Sequence, residues 1–208
     1  MNVLIVSATA EETVLLRDKL ALHPVPATVD FLVTGIGMVA TTYSLTRLLQ
    51  HHNYDLAVAI GVAGAIDHAL PIGEVVQVSE DAIYNFGVED GPEVKTFAAI
   101  GLTGDADIRP LYPFSSVVVD KLRAVKAVSV NTGHGNETSI SLLRERTDAV
   151  IENMEGAAFF FVCNQEQVCC LQLRAISNRV ERRNRAAWDL PKALQQLSDV
   201  TYSLLQTL

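Results

Sequence analysis

The sequence lacks the features that mark metal sites and disulfide-stabilised proteins. It contains three cysteines, Cys163, Cys169 and Cys170, and they show no C-x-x-C spacing. We expect reduced thiols in a protein core rather than disulfides. The five histidines form no i, i+4 pair and no H-E-x-x-H motif, so the sequence favours no metal site.

Charged residues and long apolar runs are also scarce. Charged side chains make up 19% of the chain, and 16 basic against 24 acidic residues give a formal net charge of −8. This acidic balance argues against a nucleic-acid-binding surface. The apolar stretch at residues 56–66 is far too short to span a membrane, and no signal-peptide pattern precedes Glu11 and Glu12. We therefore expect a soluble cytoplasmic protein with neither a nucleic-acid nor a membrane partner.

The chain does have enough apolar residues for a well-filled core. They make up 49% of it, with a mean hydropathy of +0.24, which excludes disorder and, at this length, indicates one domain over residues 1–208. Short apolar runs alternate with helical patterns. This alternation predicts an α/β fold, a three-layer αβα sandwich around a mixed, largely parallel twisted sheet.

The periodicity places the elements as follows. Strands are predicted at residues 3–7, 29–33, 56–60, 74–83 (bent or divided), 127–131, 149–153 and 168–176. Helices are predicted at residues 10–22, 38–51, 139–146, 156–165 and 191–205. Residues 85–114, rich in glycine and proline, are predicted to form a long loop-rich excursion. Since ligands collect at the carboxyl ends of parallel strands, the polar segments that follow the strands are the candidate site.

Three of these segments carry motifs with two interpretations each. The G-x-G-x-x-A run at residues 35–40 resembles a dinucleotide loop, but no acid ends the next strand, so close packing or an anion or sugar contact fits better. Glu11 and Glu12 start a helix, where acids either complement the helix dipole, as in any protein, or serve a function if other polar groups converge on one of them. Glu155 lies between apolar segments, and it either binds sugar hydroxyls or accepts hydrogen bonds from backbone amides.

The segment at residues 174–188 is the richest in polar groups. Arg174, Ser177 and Asn178 end an apolar strand, and four arginines follow within residues 179–185. In an acidic protein these arginines indicate either an exposed loop or a local anion site. The single tryptophan, Trp188, either stacks on a planar ligand or caps the core.

Together these motifs carry a family resemblance along nearly the whole chain. In order they are E-E-x-x-L-L-R-D-K-L, T-G-I-G-M-V-A, G-V-A-G, I-G-E-V-V, N-M-E-G-A-A and R-A-I-S-N. This series resembles the purine nucleoside phosphorylase/hydrolase superfamily and its 5′-methylthioadenosine nucleosidase branch. The run S-N-x-V-E-x-R-N followed by W-D is most similar to the futalosine hydrolases of menaquinone biosynthesis.

The resemblance implies a role for each matching residue. Glu12 falls on the carboxylate that polarises the attacking water, and Glu155, preceded by Met154, on the one that binds ribose hydroxyls. Arg174 matches an arginine at the water and ribose site, Ser177 neighbours the base, and Trp188 lies near the 5′ substituent. The glycine motifs imply that Gly37 and Gly61 also contact substrate. The resemblance further implies a homo-oligomer that acts on a nucleoside without a cofactor.

The chain departs from the nucleosidases at three places. Val62 replaces a serine of their glycine loop, the segment around residues 25–31 is shorter, and Asn178 replaces their catalytic aspartate. An aspartic acid can protonate adenine and accept from its 6-amino group, whereas an asparagine offers an NH₂ to a 6-oxo group. Asn178 therefore favours hypoxanthine as the leaving group.

The resulting prediction is hydrolysis of futalosine to hypoxanthine and dehypoxanthine futalosine. The aromatic carboxylate of the 5′ arm would then pair with Arg182, Arg183 or Arg185. The alternatives are a nucleosidase for 5′-methylthioadenosine or S-adenosylhomocysteine, a phosphorylase, and a non-catalytic nucleoside-binding protein of the same fold.

Overall fold

The computed structural model describes residues 1–208. The strands are β1 (Asn2–Ser7), β2 (Thr28–Val33), β3 (Leu56–Ala65), β4 (Val75–Ile83), β5 (Val88–Asp90), β6 (Glu93–Lys95), β7 (Asp107–Ile108), β8 (Arg123–Ser129), β9 (Ile151–Asn153) and β10 (Cys170–Arg179). The helices are α1 (Glu11–Leu22), α2 (Met38–Leu49), α3 (Glu137–Arg146), α4 (Gly156–Gln165) and α5 (Leu190–Leu205). Short 3₁₀ helices span Ala98–Ile100, Val119–Lys121 and Arg185–Ala187.

Eight strands form one mixed sheet, while β5 and β6 pair only with each other. The pairs β1–β2, β1–β3, β3–β10, β4–β8 and β8–β9 are parallel, and β3–β9, β4–β7 and β4–β10 are antiparallel. Because β10 pairs with both β3 and β4, the path through β3, β9, β8, β4 and β10 closes on itself. The predicted mixed, largely parallel sheet is confirmed, and its closure is a feature that the sequence did not indicate.

Helices cover both faces of this sheet, as predicted. Along β1 the side chains alternate, because successive residues of a strand point to opposite faces. Val3 and Ile5 pack in a cluster with α1 and α5, whereas Leu4 and Val6 pack in a cluster with α2 and α4. The three-layer αβα arrangement is therefore confirmed. No helix is both long and apolar enough to cross a membrane.

Two strands run further than their patterns predicted. We expected β3 to end at residue 60, but it continues to Ala65, since residues 61–65 keep pairing with β10 and β9. We expected β10 to end at residue 176, but it continues to Arg179 after an irregularity in register between Ile176 and Asn178. Polar residues predicted to follow β10 therefore lie within it, beside the end of β3.

Further differences lie in and around the excursion at residues 85–114. It contains the β5–β6 hairpin and β7, which the glycine- and proline-rich composition did not reveal. The strand predicted at residues 127–131 is β8 and begins earlier, at Arg123. Residues 74–83, predicted to be bent or divided, form the single strand β4, whose register with β8 shifts between Val78 and Glu80.

Candidate active site

Glu12 is held by backbone amides at the start of α1. Its Oε2 accepts hydrogen bonds from the N–H groups of Ala8 and Thr9, at 3.0 Å each, and its Oε1 accepts one from Val62 N–H at 3.3 Å. The amides come from the turn after β1 and from β3, so two strand segments fix one carboxylate. Its neighbour Glu11 is exposed. Of the two adjacent acids, Glu12 is the one that the fold positions.

Burial raises the pKa of the Glu12 carboxyl above its usual range, and the nearby Glu155 carboxylate raises it further. The Arg174 guanidinium and the amides of Thr9 and Val62 act in the opposite direction without cancelling the rise. A carboxylate with a raised pKa accepts a proton more readily near neutral pH than an exposed glutamate does. The surroundings of Glu12 therefore suit a general base.

Glu155 lies at the start of α4 and makes no capping hydrogen bond to its own helix. Its Oε1 accepts a hydrogen bond from Gly37 N–H at 3.0 Å, and its Oε2 lies 3.6 Å from Arg174 Nη1. Gly37 has φ +93°, a conformation that favours glycine, so the G-x-G run delivers an amide to Glu155. The side chain is only 13% exposed. Glu155 thus accepts a hydrogen bond from a backbone amide, as one of its two interpretations proposed, but the amide belongs to the G-x-G run and not to α4, and binding of sugar hydroxyls stays a prediction.

Arg174 lies next to the carboxylates of Glu12 and Glu155 and is 2% exposed. Its Nε donates to Gln172 Oε1 at 3.0 Å and its Nη2 to Asn153 Oδ1 at 3.3 Å. A Cβ atom on Gly61 would lie 2.2 Å from Arg174 Nη1 and 2.9 Å from Glu12 Oε1. Only a glycine on β3 leaves space for this guanidinium and carboxylate to lie side by side.

A cavity of about 430 Å³ opens above these groups, which is within the usual size range of small-molecule sites. The predicted site residues that line it are Glu12, Met154, Glu155, Ser177, Asn178 and Trp188. Arg174, Gly37 and Gly61 do not line it. Gly37 and Gly61 each lie against a charged side chain of the site, and their contact with substrate stays a prediction.

Asn178 occupies another part of the cavity wall with its amide orientation fixed. Its Oδ1 accepts from Ser177 Oγ at 2.8 Å, and its Nδ2 donates to the backbone carbonyl of Arg179 at 3.0 Å. An amide nitrogen carries two hydrogens. One N–H of Asn178 therefore has no partner in the chain and is available to a ligand.

Trp188 and one arginine form a third part of the wall. Trp188 is 39% exposed, so it does not cap the core, and Arg183 Cζ lies 5.7 Å from the centre of its ring. Both residues line the cavity, whereas Arg182 and Arg185 do not. Of the three arginines that the sequence predicted as partners of the 5′ carboxylate, only Arg183 lines the cavity.

A buried pair, His134 and Glu152, lines the cavity near Asn178 and was not predicted. Glu152 Oε2 lies 2.7 Å from His134 Nδ1, and Oε1 accepts from His134 N–H at 3.0 Å. A Cβ atom on Gly64 would lie 3.2 Å from Asn178 Nδ2 and 3.4 Å from Glu152 Cγ. Burial raises the pKa of Glu152, although His134 opposes the rise. The sequence held one clue to this pair, since Glu152 is an acid inside a strand that was predicted to be buried.

Comparison with known proteins agrees with this geometry. The family model of the phosphorylase superfamily matches residues 27–207. A futalosine hydrolase of Thermus thermophilus is 30% identical over 182 residues, which cover 84% of this chain and 80% of that protein. The chain belongs to the futalosine hydrolase family of the phosphorylase superfamily.

Solved structures of other proteins share the fold of this chain over its whole length. The structure of Helicobacter pylori futalosine hydrolase matches with a TM-score of 0.82 at 19% identity, over 100% of this chain and 98% of that one. The 5′-methylthioadenosine/S-adenosylhomocysteine nucleosidase of the same organism matches with a TM-score of 0.81 at 18% identity, over 100% and 99%. At these identities the likeness confirms the nucleoside phosphorylase-like fold, which hydrolases of different substrates share.

Proposed function

We propose that this protein hydrolyses the N-glycosidic bond of futalosine and releases hypoxanthine and dehypoxanthine futalosine. The observation that carries the proposal is the fixed amide of Asn178 in the cavity wall, where one N–H has no partner in the chain. A 6-oxopurine offers a carbonyl oxygen to such a donor, whereas the 6-amino group of adenine offers a second donor. The family relationship supports the same substrate.

In the proposed reaction the bond between C1′ and the purine nitrogen breaks while water adds to C1′. Glu12 accepts a proton from the water, for which its raised pKa suits it. Glu155 accepts hydrogen bonds from ribose hydroxyls, and its negative charge stabilises the positive charge that builds on the sugar. Asn178 donates to the 6-oxo group as negative charge builds on the departing base. The base then takes up a proton from solvent.

The 5′ arm of futalosine ends in an aromatic carboxylate, which needs a cation and an apolar surface. Arg183 and Trp188 supply both on one part of the cavity wall. We assign the arm to these two residues. Met154 and Ser177 also line the cavity, and we assign the remaining contacts with ribose and base to them.

The cellular setting forms part of the same proposal. We infer that residues 1–208 act as one domain in the cytoplasm, in menaquinone biosynthesis and without a cofactor. We also infer a homo-oligomer, because Ile36, Val39 and Tyr43 leave an apolar patch in and beside α2 that is 63%, 86% and 66% exposed. Patches of this kind commonly mark protein interfaces.

A direct assay tests the proposal. Purified protein is incubated with futalosine, inosine and 5′-methylthioadenosine, with and without phosphate, and the released base is identified. We expect hypoxanthine from futalosine without phosphate. Release of adenine but no hypoxanthine would contradict the proposal and favour the methylthioadenosine nucleosidase alternative. A strict requirement for phosphate would indicate a phosphorylase, and binding without cleavage a non-catalytic protein.

A further inference from the structure

A fully buried carboxylate lies below the site and has no part in the proposed chemistry. Asp81, on β4, is 0% exposed. It accepts hydrogen bonds from Ser129 Oγ at 2.8 Å, Asn153 Nδ2 at 2.7 Å and Gln172 Nε2 at 3.2 Å. A Cβ atom on Gly156 would lie 2.0 Å from Asp81 Oδ2, so the first turn of α4 packs directly against the carboxylate.

The two amides bonded to Asp81 reach the active site with their other ends. Gln172 Oε1 accepts from Arg174 Nε at 3.0 Å. Asn153 Oδ1 lies 3.3 Å from Arg174 Nη2 and also accepts from the backbone N–H groups of Glu155 at 2.9 Å and Gly156 at 2.7 Å. Each amide therefore bridges Asp81 and the residues that hold the ribose site.

An amide has a donor end and an acceptor end, and its neighbours decide which way it points. An ionised carboxylate only accepts, so it draws the NH₂ ends of Asn153 and Gln172 towards itself. Their oxygens then face Arg174, which only donates. If either amide turned over, its NH₂ group would face the guanidinium, and a buried donor would be left without an acceptor.

We propose that Asp81 is a positioning residue that orients the Asn153 and Gln172 amides and through them holds Arg174 beside Glu12 and Glu155. The inference rests on the proposed function only in taking those two carboxylates as the catalytic pair. A purely stabilising role explains the contacts less well, because burying the Asp81 charge costs desolvation energy. Uncharged side chains of similar volume at such a position are often as stable as the buried charge.

The first test is Asp81→Asn, which keeps the shape but lets the neighbouring amides turn over. We expect kcat/KM for futalosine to fall about tenfold to a hundredfold, since a small misplacement of catalytic groups has effects of this size. The matched control is Leu49→Ala at the far end of α2, which removes a buried side chain away from the site. It should lower Tm and leave kcat/KM near wild type.

The second test moves the negative charge from position 81 to the neighbouring side chain at position 153. In Asp81→Asn/Asn153→Asp the carboxylate at position 153 again presents only acceptors to Arg174, Glu155 and Gly156. The amide at position 81 then donates to that carboxylate through the nitrogen that replaces Oδ2 and accepts from Ser129 through its oxygen. Gln172 Nε2 meets the same nitrogen, so only the bridge through position 153 is restored. We expect kcat/KM to recover part of the loss and to exceed that of Asp81→Asn, because the favoured donor and acceptor pattern returns on that side of Arg174.

A third variant keeps the test decisive if Asp81→Asn does not fold. Gln172→Met breaks one bridge to Arg174 and leaves the Asp81 carboxylate in place, so kcat/KM should again fall about tenfold or more. Crystal structures add a readout besides activity, with Arg174 displaced in Asp81→Asn and closer to its wild-type place in the double variant.

Three results would overturn the positioning role. They are an Asp81→Asn variant with wild-type kcat/KM, a double variant no more active than Asp81→Asn, and an unmoved Arg174. Failure of the proposed function is recognised separately, because wild-type protein would then not release hypoxanthine from futalosine. In that case the same variants are compared on whichever nucleoside the wild type cleaves or binds.

Discussion

Glu12 shows how surroundings, more than residue type, make a carboxylate suitable as a base. The adjacent Glu11 has the same side chain but lies exposed, whereas three backbone amides fix Glu12 and burial raises its pKa. Glu12 thus combines a fixed position with a greater affinity for protons. Glu11 has neither property and is the natural control.

Glu12→Gln is predicted to lower kcat by about 10²–10⁴-fold, the usual effect of losing a positioned general base. Substrate binding should persist, because the amide keeps the shape of the side chain. The measurement is steady-state kinetics on futalosine, with Glu11→Gln as the matched control that stays near wild type. Loss of activity in Glu11→Gln alone would transfer the role to Glu11.

The pH dependence of the reaction should report the same carboxyl. Because the proposed mechanism needs ionised Glu12 and its pKa is raised, kcat/KM should decline as the pH falls towards a midpoint above the ordinary value of 4.5. Burial also raises the pKa of Asp81, to about 6. The profile of Asp81→Asn separates the two groups, since the acid limb persists there if Glu12 causes it.

Asn178→Asp is predicted to change the choice of base. The carboxylate would face both the 6-oxo group and the Arg179 carbonyl, acceptor against acceptor, which should cost about 1–3 kcal/mol on futalosine. Cleavage of 6-amino-6-deoxyfutalosine should fall less or rise. The decisive quantity is the ratio of the two kcat/KM values in mutant and wild type. An unchanged ratio would mean that Asn178 does not read the base.

Arg183→Ala is predicted to weaken the protein's preference for a substrate with the carboxylate arm. It should reduce kcat/KM for futalosine about tenfold or more, the scale of a lost charge-assisted hydrogen bond, and leave inosine hydrolysis almost unchanged. Arg182→Ala is the matched control, because Arg182 does not line the cavity. Equal effects of the two variants would argue for a general charge effect instead of a specific contact.

The site residues that sequence reasoning found share one property: each lies in a recognisable local motif. Glu12, Glu155 and Asn178 follow apolar strands or begin helices, so their runs could be identified without the fold. Asp81 and Glu152 lie inside buried strands, and their partners are far away in the chain. Their importance depends on which strands become neighbours, and local periodicity does not contain that information.

At the scale of elements, β3 carries the site because it lies between β1, which leads to Glu12 in α1, and β10, which holds Arg174. Its Gly61 lies against both Glu12 and Arg174. The sequence predicted this strand and its buried character correctly, since the apolar run was clear. Its length was not predictable, because glycine and alanine at residues 61–65 are poor strand formers until β10 and β9 pair with them.

Gly61→Ala is predicted to damage both stability and activity. The added methyl group would lie 2.2 Å from Arg174 Nη1, so the guanidinium must shift, and overpacking of this kind costs about 1–3 kcal/mol. Thermal unfolding and kcat/KM should both show the loss. Gly133→Ala is the control for stability, because its nearest neighbour would be Glu152 Oε1 at an ordinary 3.8 Å. A Tm equal to that of Gly133→Ala would contradict the packing argument.

At the scale of the molecule, the excursion at residues 85–114 contrasts with the closed sheet. The β5–β6 hairpin pairs only with itself, and β7 joins the sheet through two residue pairs with β4. Its composition predicted a region without long elements, and this is confirmed. The hairpin was not foreseen, because its strands are three residues each.

We predict that this excursion exchanges its amide hydrogens and is cleaved by proteases before the rest of the protein. Regions with few buried contacts open at low free-energy cost, whereas core strands open only on global unfolding. Hydrogen-exchange mass spectrometry and limited proteolysis measure the difference directly. Protection of residues 88–95 equal to that of β1 would contradict the prediction.

The position of β10 has a consequence for the synthesis of the protein in the cell. This strand joins β3 to β4, yet the ribosome makes it after residue 169, when both partners have long been translated. Until then, one edge of the ten-residue strand β3 and the Val75–Gln77 part of one edge of β4 stay open on the nascent chain. Such apolar edges attract strands from other chains. A polypeptide that terminates before β10 would carry Glu12 and Glu155 and still be prone to aggregate.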